Sequence, residues 1–156
     1  MPPQKIAYVD ECGIDTYLYR EYGYAPQGQK VPGLISGRKY KRCGIVAAKM
    51  EDKILAPFQY SGTMDSRLFE SWFVSQLLPS LDKGTVIVNG QRLVPFKKTA
   101  AFCCPKCRVQ AGVLPPYSPE LSPIENFWGW LKRFLRKTLP SHSSFDDALY
   151  TAFQLC

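Results

Sequence analysis

Leu114-Pro115-Pro116-Tyr117-Ser118-Pro119-Glu120-Leu121-Ser122-Pro123-Ile124-Glu125-Asn126-Phe127-Trp128 is the stretch around which the rest of the chain can be ordered. Pro115, Pro116 and Pro119 fix the backbone of an extended loop and exclude a helix there. Ser122 and Pro123 then open one, because a serine cap followed by proline suits the unpaired amides of a helix start. Beyond them Ile124, Phe127, Trp128, Leu131, Phe134 and Leu135 recur at helical spacing. Lys132, Arg133, Arg136 and Lys137 lie toward the other side, so the spacing predicts an amphipathic helix with a basic outer face.

Upstream, Lys5 to Asp10 is an apolar run ending in an acidic residue, as in a central strand that delivers a carboxylate to the sheet edge. Cys43 to Ala48 and Ile54 to Tyr60, parted by the polar turn at Glu51-Asp52-Lys53, predict a hairpin. From Asp65 to Leu81, Leu68, Phe69, Trp72, Phe73, Leu77 and Leu78 mark a helix with one buried face. Thr85 to Val88 is a buried strand expected to run parallel to the first. A last helix is predicted from Phe145 to Leu155, capped by Ser144, with Asp146 and Asp147 favourable at its positive end. Trp72, Phe73, Trp128 and Leu131 are expected in the core. Asn89 to Val113 carries neither a helical stripe nor strand alternation.

The chain has 156 residues, 46% of them hydrophobic, which predicts a single domain, 1–156, with a buried core. No apolar run is long enough for a membrane helix and no secretory signal is present, so a cytoplasmic protein without a membrane partner is expected. Twenty Lys and Arg against thirteen Asp and Glu leave a formal charge of +7, the sign of a polyanion binder. The six cysteines do not form the pattern of a small secreted scaffold. Cys104 and Cys107 have half of a zinc-site spacing, and a zinc-stabilised module around them is one alternative reading.

The strand ending in Tyr8-Val9-Asp10-Glu11, the strand Thr85 to Val88 and the proline loop leading into Ser122-Pro123-Ile124-Glu125-Asn126 together resemble the Tc/mariner superfamily of DDE transposases, especially its bacterial insertion-sequence branch. The resemblance spans nearly the whole chain. It implies an α/β fold, a ribonuclease-H-like mixed sheet flanked by helices, in which three carboxylates hold two Mg²⁺ or Mn²⁺ ions for DNA cleavage and strand transfer. Asp10 matches the first carboxylate and Glu125 the third, as metal ligands and catalytic residues. Each also has an ordinary reading. Asp10 alone could be a solvated strand end, and Ser122 to Glu125 is a capping box in which Glu125 bonds back to the cap amide. Arg38, Lys39, Lys41 and Arg42 form one candidate DNA-binding patch, and Lys132, Arg133, Arg136 and Lys137 another; lysines and arginines on exposed faces are also commonly only solvated.

The resemblance further implies transposon ends and target DNA as partners and the bacterial nucleoid as the place of action, and it leaves open a homodimer as the acting assembly. Family members usually carry a helix-turn-helix region ahead of the catalytic core, and its absence here is an expectation from the early first strand.

The second carboxylate is missing. In the family the strand matching Thr85 to Val88 is followed by Met-Asp-Asn, a small residue and commonly Phe-His, whereas Asn89-Gly90-Gln91-Arg92 stands here. No Asp or Glu occurs between Lys83 and Pro119. Asn89 to Phe96 can be encoded as AAT-GGA-CAA-CGC-CTC-GTT-CCA-TTC, and one base forward this reads Met-Asp-Asn-Ala-Ser-Phe-His. A base restored at Val113-Leu114 returns Tyr-Leu ahead of the proline loop. The displaced Asp falls at position 90, leaving 34 residues before Glu125, the spacing the resemblance implies. Residues 89–113 are therefore expected to be out of frame, and the chain as written to be inactive. A non-catalytic DNA-binding remnant is the other alternative.

Overall fold

The computed structural model describes residues 5–16, 23–33, 37, 41–89, 111–113 and 122–156. Five strands, β1 (Ile6–Asp15), β2 (Arg42–Met50), β3 (Lys53–Ser61), β4 (Val86–Asn89) and β5 (Ala111–Val113), form one sheet in the order β3-β2-β1-β4-β5. β1 is antiparallel to β2 and parallel to β4, β2 is antiparallel to β3, and β4 is parallel to β5. The sheet is thus mixed, with the long β1 at its centre.

Side-chain alternation along β1 and β2 divides the interior into two layers. Ala7 and Val9 of β1, Val46, Ala48 and Met50 of β2, and Ile87 of β4 face Phe69, Trp72, Phe73 and Leu77 on one side. Cys12 and Ile14 of β1, with Cys43, Ile45 and Ala47 of β2, face the other side. There they meet α3 (Pro123–Thr138) and α4 (Phe145–Gln154) through Ile124, Trp128, Leu131, Leu135, Leu149 and Ala152. The run Cys43 to Ala48 is buried throughout because both faces of β2 are covered. Trp72 with Phe73, and Trp128 with Leu131, are core residues as expected, but of opposite layers.

The first helical layer begins at α1 (Ser66–Trp72), where the Asp65 side chain accepts the Leu68 amide at 2.7 Å. It continues through a wider π-helical turn, Phe73–Leu77, into α2 (Leu78–Ser80). The Leu78 amide reaches back to the Phe73 carbonyl. Pro79 offers a reason: its ring crowds the preceding turn and it has no amide to donate. On β3 the pairing slips between Val46 and Ala48, so that Ala56 and Pro57 stand against one residue of β2. Ala56 has φ 48°, and its carbonyl accepts the Trp72 indole N–H at 2.8 Å, tying this bulge to α1. Proline is tolerated there because β3 is an edge strand.

Two expectations need correction. β1 does not end at Asp10; it runs on to Asp15 because its antiparallel pairing with β2 continues to Arg42, passing Gly13 opposite Gly44. Nor is the whole of 89–113 without regular structure: Asn89 closes β4 and Ala111–Val113 forms β5. Backbone pairing of a three-residue edge needs no alternating side chains, so it left no periodic signal.

Candidate metal centre

Asp10 and Glu11 are neighbours in sequence that the pleat of β1 sends to opposite faces. Glu11 shares the α1 side with Tyr60, whose hydroxyl donates to Glu11 Oε1. That side of β2 carries Gly44, because a Cβ there would run into the Tyr60 ring. Burial and the Glu11 carboxylate together hold the Tyr60 hydroxyl well above the usual phenol range. Asp10 alternates with Cys12 onto the face covered by α3, the helix that carries Glu125 in its first turn.

A hydrogen bond and the charges around it join Asp10 to α3. The Trp128 indole N–H donates to Asp10 Oδ2 at 3.2 Å. The Glu125 charge acts on Asp10, and the Cys12 thiol is under the influence of Asp10, Glu125 and Lys132 together. Burial pushes the Asp10 carboxyl above the usual carboxylate range, and the Glu125 charge pushes the same way; the Glu11 amide and the Trp128 indole act against them. Burial likewise raises the Cys12 thiol, against the pull of Lys132. A buried carboxyl held up by its burial and by a neighbouring carboxylate is one whose charged form a cation favours.

The capping-box alternative for Glu125 finds no support from its partner. The Ser122 side chain makes no capping hydrogen bond, although its carbonyl accepts the Glu125 amide at 3.1 Å, and Glu125 itself is exposed. Asp10 and Glu125 therefore present hard oxygen donors of the kind that suit Mg²⁺ or Mn²⁺. Among the described residues no group of three His, Cys, Asp or Glu could hold a metal. Position 90, expected from the displaced frame to carry the third carboxylate, lies outside the described residues, as do Cys104 and Cys107. β4 ends on the pair Val9 with Asn89, one residue before Asp10 on β1.

The basic residues divide differently from the expected patches. Arg38 and Lys39 lie outside the described residues. Lys41 and Arg42 are exposed at the start of β2, and the Arg42 side chain lies over Gly13 on the α1 side of the sheet. Arg133, Arg136 and Lys137 are exposed on α3. Lys132, expected on the outer face, is instead half-buried, and its charge acts on the Cys12 thiol, two residues from Asp10. The reason is its stripe: it lies seven residues, two helical turns, after Glu125. The other flank of α3 borders an open cavity of about 430 Å³ lined by Lys49, Ile54, Phe127, Trp130 and Leu155, which includes neither Asp10 nor Glu125.

Sequence reasoning missed the position of Lys132 and, for Trp128, not its place in the core but its link to Asp10. A buried indole requires an acceptor, and Trp128 stands one turn after Glu125, which was the available signal.

The charge state of Asp10 has a measurable consequence. A carboxyl whose pKa is raised by folding supports the folded state below the ordinary carboxylate range, and that support is lost as pH rises through the folded value. In chelator at neutral pH, Asp10→Asn is therefore expected to melt higher than the parent, by roughly 2–4 °C for each kcal/mol of relieved burial cost. The difference should close on acidification to below about pH 4. Melting curves at both pH values check this; a variant that melts lower at neutral pH contradicts it.

The DDE superfamily endonuclease family matches residues 5–147. Among solved structures, the Mos1 transposase paired-end complex with left transposon end is similar at TM-score 0.62 and 15% identity, covering 96% of this chain and 51% of that one. A pre-cleavage Mos1 transpososome gives TM-score 0.59 and 14% identity over 96% and 52%, and the Mos1 mariner paired end complex with Mn gives 0.60 and 12% over the same shares. The chain thus spans about half the length of the solved chains it matches. No curated protein sequence matches it. Among the described residues no helix is long and apolar enough to cross a membrane. The mixed sheet flanked by helices is the ribonuclease-H-like fold, and the chain belongs to the DDE superfamily endonucleases.

Proposed function

We propose that this chain is the catalytic domain of a DNA transposase of the Tc/mariner type, from the bacterial insertion-sequence branch, with Asp10 and Glu125 as two of its three metal-binding carboxylates. The observation that carries the reading is the hydrogen bond from Trp128, on the helix that bears Glu125, to Asp10, with the Glu125 charge acting on the same carboxyl. Mg²⁺ or Mn²⁺ bound there would activate an attacking water or DNA 3′-hydroxyl and stabilise the leaving oxygen. Asp10 and Glu125 would hold the ions. Arg133, Arg136 and Lys137 give an exposed basic surface on the same helix as Glu125, suited to phosphates of transposon ends and target DNA. Residues 1–156 act as one domain in this reading, working as a homodimer at the nucleoid.

Residues 89–113 are, in the same reading, a window displaced by one base, so that the second carboxylate is lost and the chain as written binds DNA without cleaving it. Asn89 supports this. It is 5% exposed, it alternates onto the apolar side with Ile87, and its Oδ1 has no hydrogen-bond partner among the described residues. An unpaired amide oxygen there costs about 1–3 kcal/mol, whereas the displaced frame supplies an apolar Met at this position. The nucleotide sequence of the locus tests the window directly: codons incompatible with Met-Asp-Asn-Ala-Ser-Phe-His in the displaced frame would remove it.

The DNA-binding part is tested by fluorescence anisotropy with a duplex oligonucleotide across a salt series. Affinity should fall steeply with salt, and replacing Arg133, Arg136 and Lys137 by Gln should reduce the slope by about one for each phosphate that is no longer neutralised. The parent should leave supercoiled plasmid intact in Mn²⁺. Salt-independent binding, or no binding, would count against the assignment, and efficient nicking would contradict the predicted inactivity.

A further inference from the structure

We propose that Trp128 is a positioning residue for Asp10: its indole N–H holds one carboxylate oxygen so that Asp10 presents a fixed geometry to a divalent cation. The proposal rests on the reading of Asp10 as a metal ligand and adds a role for a residue that packing alone would explain.

Trp128 is 2% exposed, and an indole nitrogen can only donate. A buried donor must find an acceptor, and this one finds Asp10 Oδ2 at 3.2 Å, on a strand 118 residues away in sequence. The ring is pinned by its neighbours: it packs against Phe127 with centroids 5.1 Å apart and belongs to the same buried layer as Leu131 and Ile45. The donor therefore cannot swing away without disturbing that layer. Its neutrality matters as well. A Lys or Arg at this place would cancel the charge the cation needs, while an indole orients the carboxylate and leaves its charge intact. Partners of this kind behind a ligand commonly contribute 10–100-fold in metal affinity.

Trp72 provides an internal reference, because its indole donates to the Ala56 carbonyl in the opposite layer. The test is Mn²⁺ titration of the full chain by electron paramagnetic resonance, together with indole ¹H–¹⁵N spectra during Mg²⁺ addition. Trp128→Phe, which keeps an aromatic ring and removes the donor, should weaken Mn²⁺ binding about 10–100-fold. Leu135→Ala in the same layer should lower the melting temperature and leave Mn²⁺ affinity unchanged. In the parent, Mg²⁺ should move the Trp128 indole resonance and not that of Trp72.

Unchanged affinity in Trp128→Phe, alongside loss in Asp10→Asn, would overturn the positioning role alone. Equal weakening by Leu135→Ala would reduce Trp128 to packing. Parent-like binding by Asp10→Asn would remove the metal-ligand reading and this role with it.

Discussion

Gly90→Asp is expected to raise Mn²⁺ affinity at least about tenfold and to produce metal-dependent DNA nicking where the parent shows none. Position 90 follows directly on Asn89, whose partner across the parallel pair is Val9, the residue before Asp10. The expected size follows from charge. In the proposed site two of three carboxylates would leave at least one ion under-held, and stabilising the leaving and attacking oxygens is worth several kcal/mol. At about 1.4 kcal/mol per decade, a contribution of that order corresponds to a rate change of roughly a thousandfold. Plasmid nicking in Mn²⁺, compared between the parent and Gly90→Asp, measures it. The same low signal from both would mean that a carboxylate at this position does not complete the site.

Asn89→Met carries the second large effect, on stability. Removing a buried oxygen without a partner relieves about 1–3 kcal/mol, and the apolar side chain adds burial beside Val9 and Ile87. At roughly 2–4 °C per kcal/mol for a domain of this size, an increase in melting temperature of about 3–10 °C is expected. Asn89→Leu, which keeps the Cγ branch of Asn, separates relief of the polar group from the change in side-chain shape. Both should stabilise. A lower melting temperature for both would show that the slot accommodates the amide, and would withdraw the structural support for a displaced frame.

The elements legible in the sequence are those long enough to show a period. α1 with its continuation through Ser80 and α3 carry apolar residues at the spacing of one covered face, β2 shows the unbroken apolar run of a strand covered on both, and Ser144 caps α4 as its side chain implies, accepting the Asp147 amide at 3.1 Å. What escapes a sequence reading depends on tertiary pairing. β1 continues past Asp10 because β2 lies opposite, and nothing in Glu11 to Asp15 states that alone. β5 is too short for alternation, and the π-helical turn follows from Pro79 within an otherwise regular helical pattern.

For the proposed site, Asp10 and Glu125 are the carboxylates that the sequence offers. That they share a face cannot be read there, because it depends on the parity of β1 and on the docking of α3. Periodicity places Trp128 in the core, where it lies, yet its nitrogen has a second connection that apolar periodicity does not record. Charge alone assigns Lys132 to the outer face, but a long side chain next to the buried stripe can lay its stem along apolar surface and bring its amine inward.

The most direct test of the central claim is Mn²⁺ binding by the parent, Asp10→Asn and Glu125→Gln, measured at one pH and ionic strength. If the two carboxylates form one cation site, each substitution weakens binding at least about tenfold and the double variant loses little more. Mn²⁺ affinity that survives either substitution unchanged would contradict it.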